Sequence, residues 1–138
     1  MTSDFSVAVH ALVFLYRKGG CLSSEKLGEN ICTNPARVRK VMAKLKKAGL
    51  VHTKEGIEGG YSFCKGSGEV TLQQISEALG IRFVQCSWSS GGMDKDCLIA
   101  LGMGEVMDGL YDELDALCKQ RLAGITVADM DKRLFAGK

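Results

Sequence analysis

Between Asn30 and Lys54 the chain carries seven basic residues, Arg37, Arg39, Lys40, Lys44, Lys46, Lys47 and Lys54, and no acid. That charge falls on a segment with a helical period. Thr33-Asn34-Pro35 offers a capping side chain followed by proline, whose fixed φ and missing N–H suit the first helical position, so a helix is predicted from Pro35. Along it Val38, Val41, Met42 and Leu45 share one face, while Ala36, Lys40, Ala43 and Lys47 fall opposite, flanked by Arg37, Arg39 and Lys44. Such a helix buries one side and leaves the other cationic, and a polyanion is the matching partner.

The flanking segments fit around this helix. Apolar residues fill Phe5 to Tyr16 almost all round, predicting a buried helix ended by Gly19-Gly20. Ser23 caps a short helix ending near Asn30. After the stop at Gly49, Leu50 to Thr53 and Gly60 to Cys64 read as two short strands around a glycine-rich turn. Thr71-Leu72-Gln73-Gln74 is a capping box opening a helix through Leu79, closed by Gly80. Three short helices followed at once by a hairpin describe a winged helix-turn-helix over residues 1–82, with the third helix able to lie in a DNA major groove. Its exposed alanines, Ala36 among them, permit close backbone approach. Asn34, Arg37, Arg39 and Lys40 near its start are placed for base edges or phosphates, and Lys44, Lys46 and Lys47 for phosphates.

The second half of the chain has the opposite charge. Residues 1–66 hold 11 Lys/Arg against 5 Asp/Glu, and residues 67–138 hold 7 against 11. Residues 83–95 show no period and read as a loop. From about Asp96 to Leu122 a long helix is predicted in which Met103, Met107, Leu110, Leu114 and Leu117 are spaced 4, 3, 4, 3, the seam of a two-helix contact with another copy of the chain. Thr126-Val127-Ala128-Asp129 starts a tail helix ending near Phe135. Residues 96–138 are therefore expected to form a dimerisation helix and tail, and the fold class is mainly α (α+β).

Composition, at 46% hydrophobic and 25% charged residues, excludes a disordered or collagenous chain. No apolar run approaches the roughly 18 residues of a spanning helix, and the opening MTSDF lacks a signal-peptide layout, so a cytoplasmic protein without a membrane partner is expected. In a reducing compartment its six cysteines are free thiols, metal ligands or redox groups.

Lys44-Leu45-Lys46-Lys47-Ala48-Gly49-Leu50-Val51 and Gly56-Ile57-Glu58-Gly59-Gly60-Tyr61 resemble the wing signature of the Rrf-type regulators, the bacterial transcription factors that include IscR, NsrR and CymR. The likeness extends to Ala8-Val9-His10-Ala11-Leu12, to Val70-Thr71-Leu72-Gln73-Gln74-Ile75 and to Ile125-Thr126-Val127-Ala128-Asp129-Met130, covering nearly the whole chain in order. The resemblance implies a homodimer on double-stranded DNA at a palindromic operator, with the wing touching the minor groove. Many members have an arginine where Glu55 stands, and Glu58 adds a second carboxylate. The electronegative minor groove disfavours both, so the wing is expected to give backbone support through Lys54, Gly59 and Gly60. Tyr61 reads as a packing residue.

Cluster-binding members place three cysteines close together in the loop and the start of the long helix. Here only Cys86 and Cys97 lie there, and no CxxC pair exists for a zinc site. No cofactor or metal is expected. An iron–sulfur cluster completed by Asp94, Asp96 or a partner subunit is the disfavoured alternative. A thiol switch is more economical. Cys86 and Cys97 flank the loop, Cys97 lies near a helix N-terminus that favours thiolate, and Cys32 lies in the turn before the recognition helix. Cys118 adjoins the seam. Cys21 and Cys64 read as small buried hydrophobes. Trp88 and Met93 are expected either in the core or as the lid of a small-molecule effector pocket.

The function expected is a dimeric, sequence-specific transcriptional regulator, a repressor answering a thiol or small-molecule signal. The alternatives are cluster sensing, and a winged-helix module that binds protein. Catalysis is not expected: no cysteine has His or acid at motif spacing, and no phosphate loop is present.

Overall fold

A computed structural model of the chain describes residues 2–64, 67–93 and 96–137. Six helices and one two-stranded sheet follow in order: α1 (Thr2–Lys18), α2 (Ser24–Ile31), α3 (Pro35–Lys47), β1 (Val51–Lys54), β2 (Gly60–Phe63), α4 (Leu72–Leu79), α5 (Leu98–Leu122) and α6 (Val127–Phe135). The hairpin is antiparallel, with Val51 opposite Phe63 and Lys54 opposite Gly60. Strand β1 starts one residue later than predicted because the Leu50 amide still bonds back to Leu45 in α3.

Local chemistry explains the helix boundaries. Ser23, Asn34, Thr71 and Thr126 each cap a helix by accepting from a backbone N–H two or three residues on, and Gln74 and Asp129 complete the last two as capping boxes. The core is α1 packed on the apolar faces of α3 and α4. Ala8, Ala11, Leu12 and Leu15 meet Val38, Val41, Met42, Leu45 and Ile75, all essentially inaccessible. The angle between α2 and α3 is set at Gly28, where a Cβ would come within 2.8 Å of the Thr33 carbonyl oxygen and 3.4 Å of the Pro35 nitrogen. Cys32 turns the chain there with φ of 64°, a left-handed conformation costly for any residue with a Cβ.

Two long-range links are absent from the local pattern. Leu22 and Tyr61 exchange backbone hydrogen bonds of 2.9 and 2.8 Å, so the hairpin is tied to the segment before α2. The tail returns to the first unit instead of forming one block with the long helix, as the sequence suggested. Leu72 N donates to Ile125 O and Val127 N to Val70 O, both at 2.9 Å, and Ile125 and Val127 are buried in the core. Arg17 on α1 grips Asp131 on α6 with two bonds, of 3.0 and 2.8 Å, and lies 3.8 Å over the Phe135 ring. Physically, a tail of nine helical residues has no core of its own and must dock on another.

Helix α5 is anchored through one side. Asp115, its only buried residue, accepts the amides of Phe83 (2.6 Å) and Val84 (3.1 Å) and pairs with Lys119 at 2.9 Å. Arg82 reaches Asp112 at 2.6 Å, and Phe83 stacks edge-on against Phe5 of α1 with centroids 5.1 Å apart. The segment 82–84 is thus the joint between the winged-helix unit and the long helix. Burial pushes the Asp115 carboxyl up, but Lys119 and the Val84 and Phe83 amides outweigh it and hold it below the ordinary carboxylate range. Asp115→Ala leaves two amides unpaired and should cost about 2 kcal/mol in urea unfolding. Asp115 contributes fully above the unfolded carboxylate pKa of about 4, and its contribution fades as pH falls through the lower folded value. The stability of the variant should therefore show a smaller loss on acidification than that of the native chain.

Candidate nucleic-acid interface

The outer face of α3 is what the period predicted. Val38, Val41, Met42 and Leu45 are buried, while Ala36, Arg39, Lys40, Ala43, Lys44, Lys46 and Lys47 are exposed. Asn34 is exposed at the cap, where its Oδ1 takes the Ala36 amide at 2.7 Å, and the positive end of the helix dipole lies beside the cationic surface. Arg39 leans toward α2, its guanidinium 3.2 Å from Ser24 Oγ and 3.8 Å from Glu25, yet remains half exposed.

Arg37 differs from the rest. Its Nε and terminal nitrogen lie 3.1 and 2.9 Å from Asp4 Oδ1, with Ser3 Oγ at 2.8 Å. The side chain is turned from the exposed cationic surface to clamp the start of α3 on the start of α1. Sequence separation hid this pairing, since a basic residue flanking a cationic face looks like its neighbours until the chain is folded.

In the wing, Lys54, Glu55, Gly56, Ile57 and Glu58 are exposed, and Gly59 and Gly60 partly so. Tyr61 is half-buried against the core, and its burial pushes the phenol pKa up, Arg39 opposing this. Ile57, at the tip between the two acids, is wholly exposed.

The cysteines are dispersed. Cys32, Cys86 and Cys97 are exposed and Cys21, Cys64 and Cys118 half-buried, all as free thiols. Cys97 is the N-cap residue of α5. Its side chain makes no full capping bond, but the Ala100 and Ile99 amides face the sulfur and hold its pKa below the ordinary thiol value. Cys86 instead donates to the Trp88 carbonyl at 3.2 Å. Cys64 departs from the buried-hydrophobe reading: its sulfur touches His52.

Among the described residues no three His, Cys, Asp or Glu side chains come together as a metal site. Asp94 lies outside the described residues. The described donors of one chain are thus not gathered as the ligand set an iron–sulfur cluster needs. Trp88 and Met93, 74% and 90% exposed, are neither core nor lid. An open apolar groove of about 440 Å³ lies elsewhere, between α1 and α6, lined by Phe5, Val9, Val13, Met130, Leu134 and Phe135.

Along α5 the apolar stripe is uncovered. Met103, Leu110, Leu114 and Leu117 are exposed, and the stripe also takes in Ile99 and Val106, both 67% exposed, whereas Met107 is half-buried at its edge. Val106 was missed because Met107 fits the 4, 3, 4, 3 spacing equally well. Orientation became visible only once Asp115 marked the side that faces the rest of the chain. Among the described residues no helix is long and apolar enough to cross a membrane.

Comparison with known proteins agrees with this geometry. YwnA of Bacillus subtilis, named as an HTH-type transcriptional regulator, is 24% identical over 135 residues, 98% of this chain and 99% of that one. YwgB of the same organism, named likewise, is 30% identical over 81 residues, 57% of this chain and 52% of that one, so that match spans about half of YwgB. A crystal structure from Lactobacillus plantarum, described as a transcriptional regulator, superposes with a TM-score of 0.85 at 24% identity, covering 99% of this chain and 93% of that one. The Rrf2 family, described as an iron-dependent transcriptional regulator, matches residues 1–133. A winged helix with a cationic third helix, matched over nearly its whole length, makes this chain a member of the Rrf2 family of transcriptional regulators, DNA-binding proteins and not enzymes.

Proposed function

We propose that the protein is a cytoplasmic, homodimeric repressor that reads a palindromic operator through α3 of each copy. The observation that carries this reading is the division of α3 into one fully buried face and one acid-free cationic face, with a hairpin docked beside it. Lys40, Lys44 and Lys47 supply phosphate contacts, Arg39 with Asn34 and Ala36 faces the base edges, and Lys54 with the Gly59 and Gly60 backbone supports the flank. Arg37 acts indirectly by holding α3 against Asp4.

Dimerisation follows from α5. A helix of 25 residues with a single buried side chain is not stabilised by its own chain's core, and its exposed stripe matches the seam that a second copy would cover. For a two-fold pair each stripe is both donor and recipient surface. The signal reaches the DNA-reading unit through the joint at 82–84, from the exposed thiols Cys86, two residues beyond it, and Cys97, at the start of α5. Cys97 is the more reactive of the two because amides of α5 favour its thiolate, and Cys32 lies directly at the turn into α3.

The test is selection of a binding site from random duplexes, followed by fluorescence anisotropy at graded salt. Specific affinity should fall steeply with salt, and Arg39→Ala should weaken it by about 1–3 kcal/mol while relaxing preference at one position per half-site. A chain that selects no sequence, or binds independently of salt, would sink the reading.

A further inference from the structure

The hairpin register brings a nucleophile and a base together at the root of the wing. His52 on β1 stands opposite Ser62 on β2. Side chains two residues apart on a strand share a face, so Cys64 lies diagonally across from His52. Cys64 Sγ is 3.2 Å from His52 Nε2 and 3.1 Å from the Gly49 carbonyl oxygen. The thiol is half-buried and the imidazole exposed, so the base exchanges protons with water while the sulfur is held in place. Among the described residues no other cysteine sulfur hydrogen-bonds to a side chain: Cys32 and Cys86 reach only carbonyls, and Cys97 only amides.

We propose that Cys64 and His52 form a nucleophile–base pair alkylated by carbon electrophiles of the α,β-unsaturated carbonyl class, and that the adduct forces the wing away from the recognition helix. A thiol within hydrogen-bond reach of a base is the arrangement that covalent chemistry uses. Sulfur attacks the β-carbon, and the C=C pair moves to the carbonyl oxygen as an enolate. The S–H proton passes to His52 Nε2, and the imidazolium returns it to the α-carbon. The product is a single adduct, a thioether on Cys64 that carries the now saturated carbonyl group, with His52 again neutral imidazole and no oxidant or reductant consumed. Oxidation by peroxide fits less well, since no second sulfur contacts Cys64 to resolve a sulfenic acid.

The position makes the reaction consequential. Gly49 is the stop of α3, with φ of 80°, and the Cys64 amide bonds to Leu50 at 3.3 Å. A substituent on Sγ cannot keep both the Gly49 and His52 contacts, so the hairpin root must shift relative to α3. This consequence rests on the DNA-binding reading above, whereas the alkylation itself does not.

The experiment treats the full chain with limiting N-ethylmaleimide and follows each cysteine by mass spectrometry, with anisotropy on the selected operator in parallel. Cys64 should react about ten-fold or more faster than N-acetylcysteine at the same pH, and His52→Gln should remove that advantage without altering the melting temperature. DNA binding should fall with the extent of Cys64 labelling, and Cys64→Ser should resist that component of the loss. A Cys64 rate no faster than N-acetylcysteine, or indifferent to His52→Gln, overturns the pair. Fast labelling with unchanged DNA affinity overturns the coupling to the wing. Untreated protein that binds no DNA would overturn the DNA-binding reading instead, and the labelling rates would still decide for or against the pair.

Discussion

In the proposed homodimer, Leu110→Glu should convert a dimer to a monomer and lower affinity for the proposed palindromic operator by about three orders of magnitude or more. Leu110 is exposed within one chain and lies near the centre of the α5 stripe, between Val106 and Leu114. In the single chain the substitution places a carboxylate in water and costs little. In the dimer it buries an unpaired charge in each copy, which costs several kcal/mol and exceeds what a seam of a few aliphatic side chains supplies. A monomer keeps one half-site and forfeits the contacts of the other, which in a complex of about 10⁻⁸–10⁻¹¹ M is a loss of many kcal/mol. Sedimentation velocity checks the assembly and anisotropy the affinity, while circular dichroism should show unchanged helix. A variant that still sediments as a dimer would place the interface elsewhere.

The second large effect is Gly60→Ala, which should lower stability by about 3 kcal/mol, or roughly 10 °C in melting temperature. Two causes add at this position. Its φ of 141° is a conformation L side chains rarely adopt, and a Cβ there would run into the Leu22 carbonyl and approach Ser23 N to 2.8 Å. Relief requires the hairpin to leave Leu22, breaking both bonds of the Leu22–Tyr61 bridge. Gly56→Ala separates the causes, since Gly56 also has positive φ, 108°, but nothing within 4 Å of its would-be Cβ. That variant should lose only about 1 kcal/mol. Equal losses from the two, measured by thermal unfolding, would mean that the wing is not docked on Leu22.

The parts of the site legible in sequence are those encoded within a few residues. Asn34-Pro35 announces the start of α3, and the repeat of Val38, Val41, Met42 and Leu45 determines which side is buried. The exposed cations follow from the same period. Those features depend on backbone geometry and hydrophobic spacing, which are local. Arg37 shows where that logic stops, since its spacing is that of a surface cation, and only the approach of Asp4 reveals a clamp. The loop residues Trp88 and Met93 likewise look like lid or core until folding leaves them in the open.

By itself the sequence determined the helices and their caps, the hairpin, the cationic face of α3 and the family resemblance, because each depends on neighbours along the chain. Only the tertiary structure decided that the tail joins the first core, that Asp115 sets the orientation of α5, and that Cys64 meets His52. Each of those rests on groups far apart in sequence, whose meeting depends on how the buried faces pack and on which backbone amides are left to be satisfied.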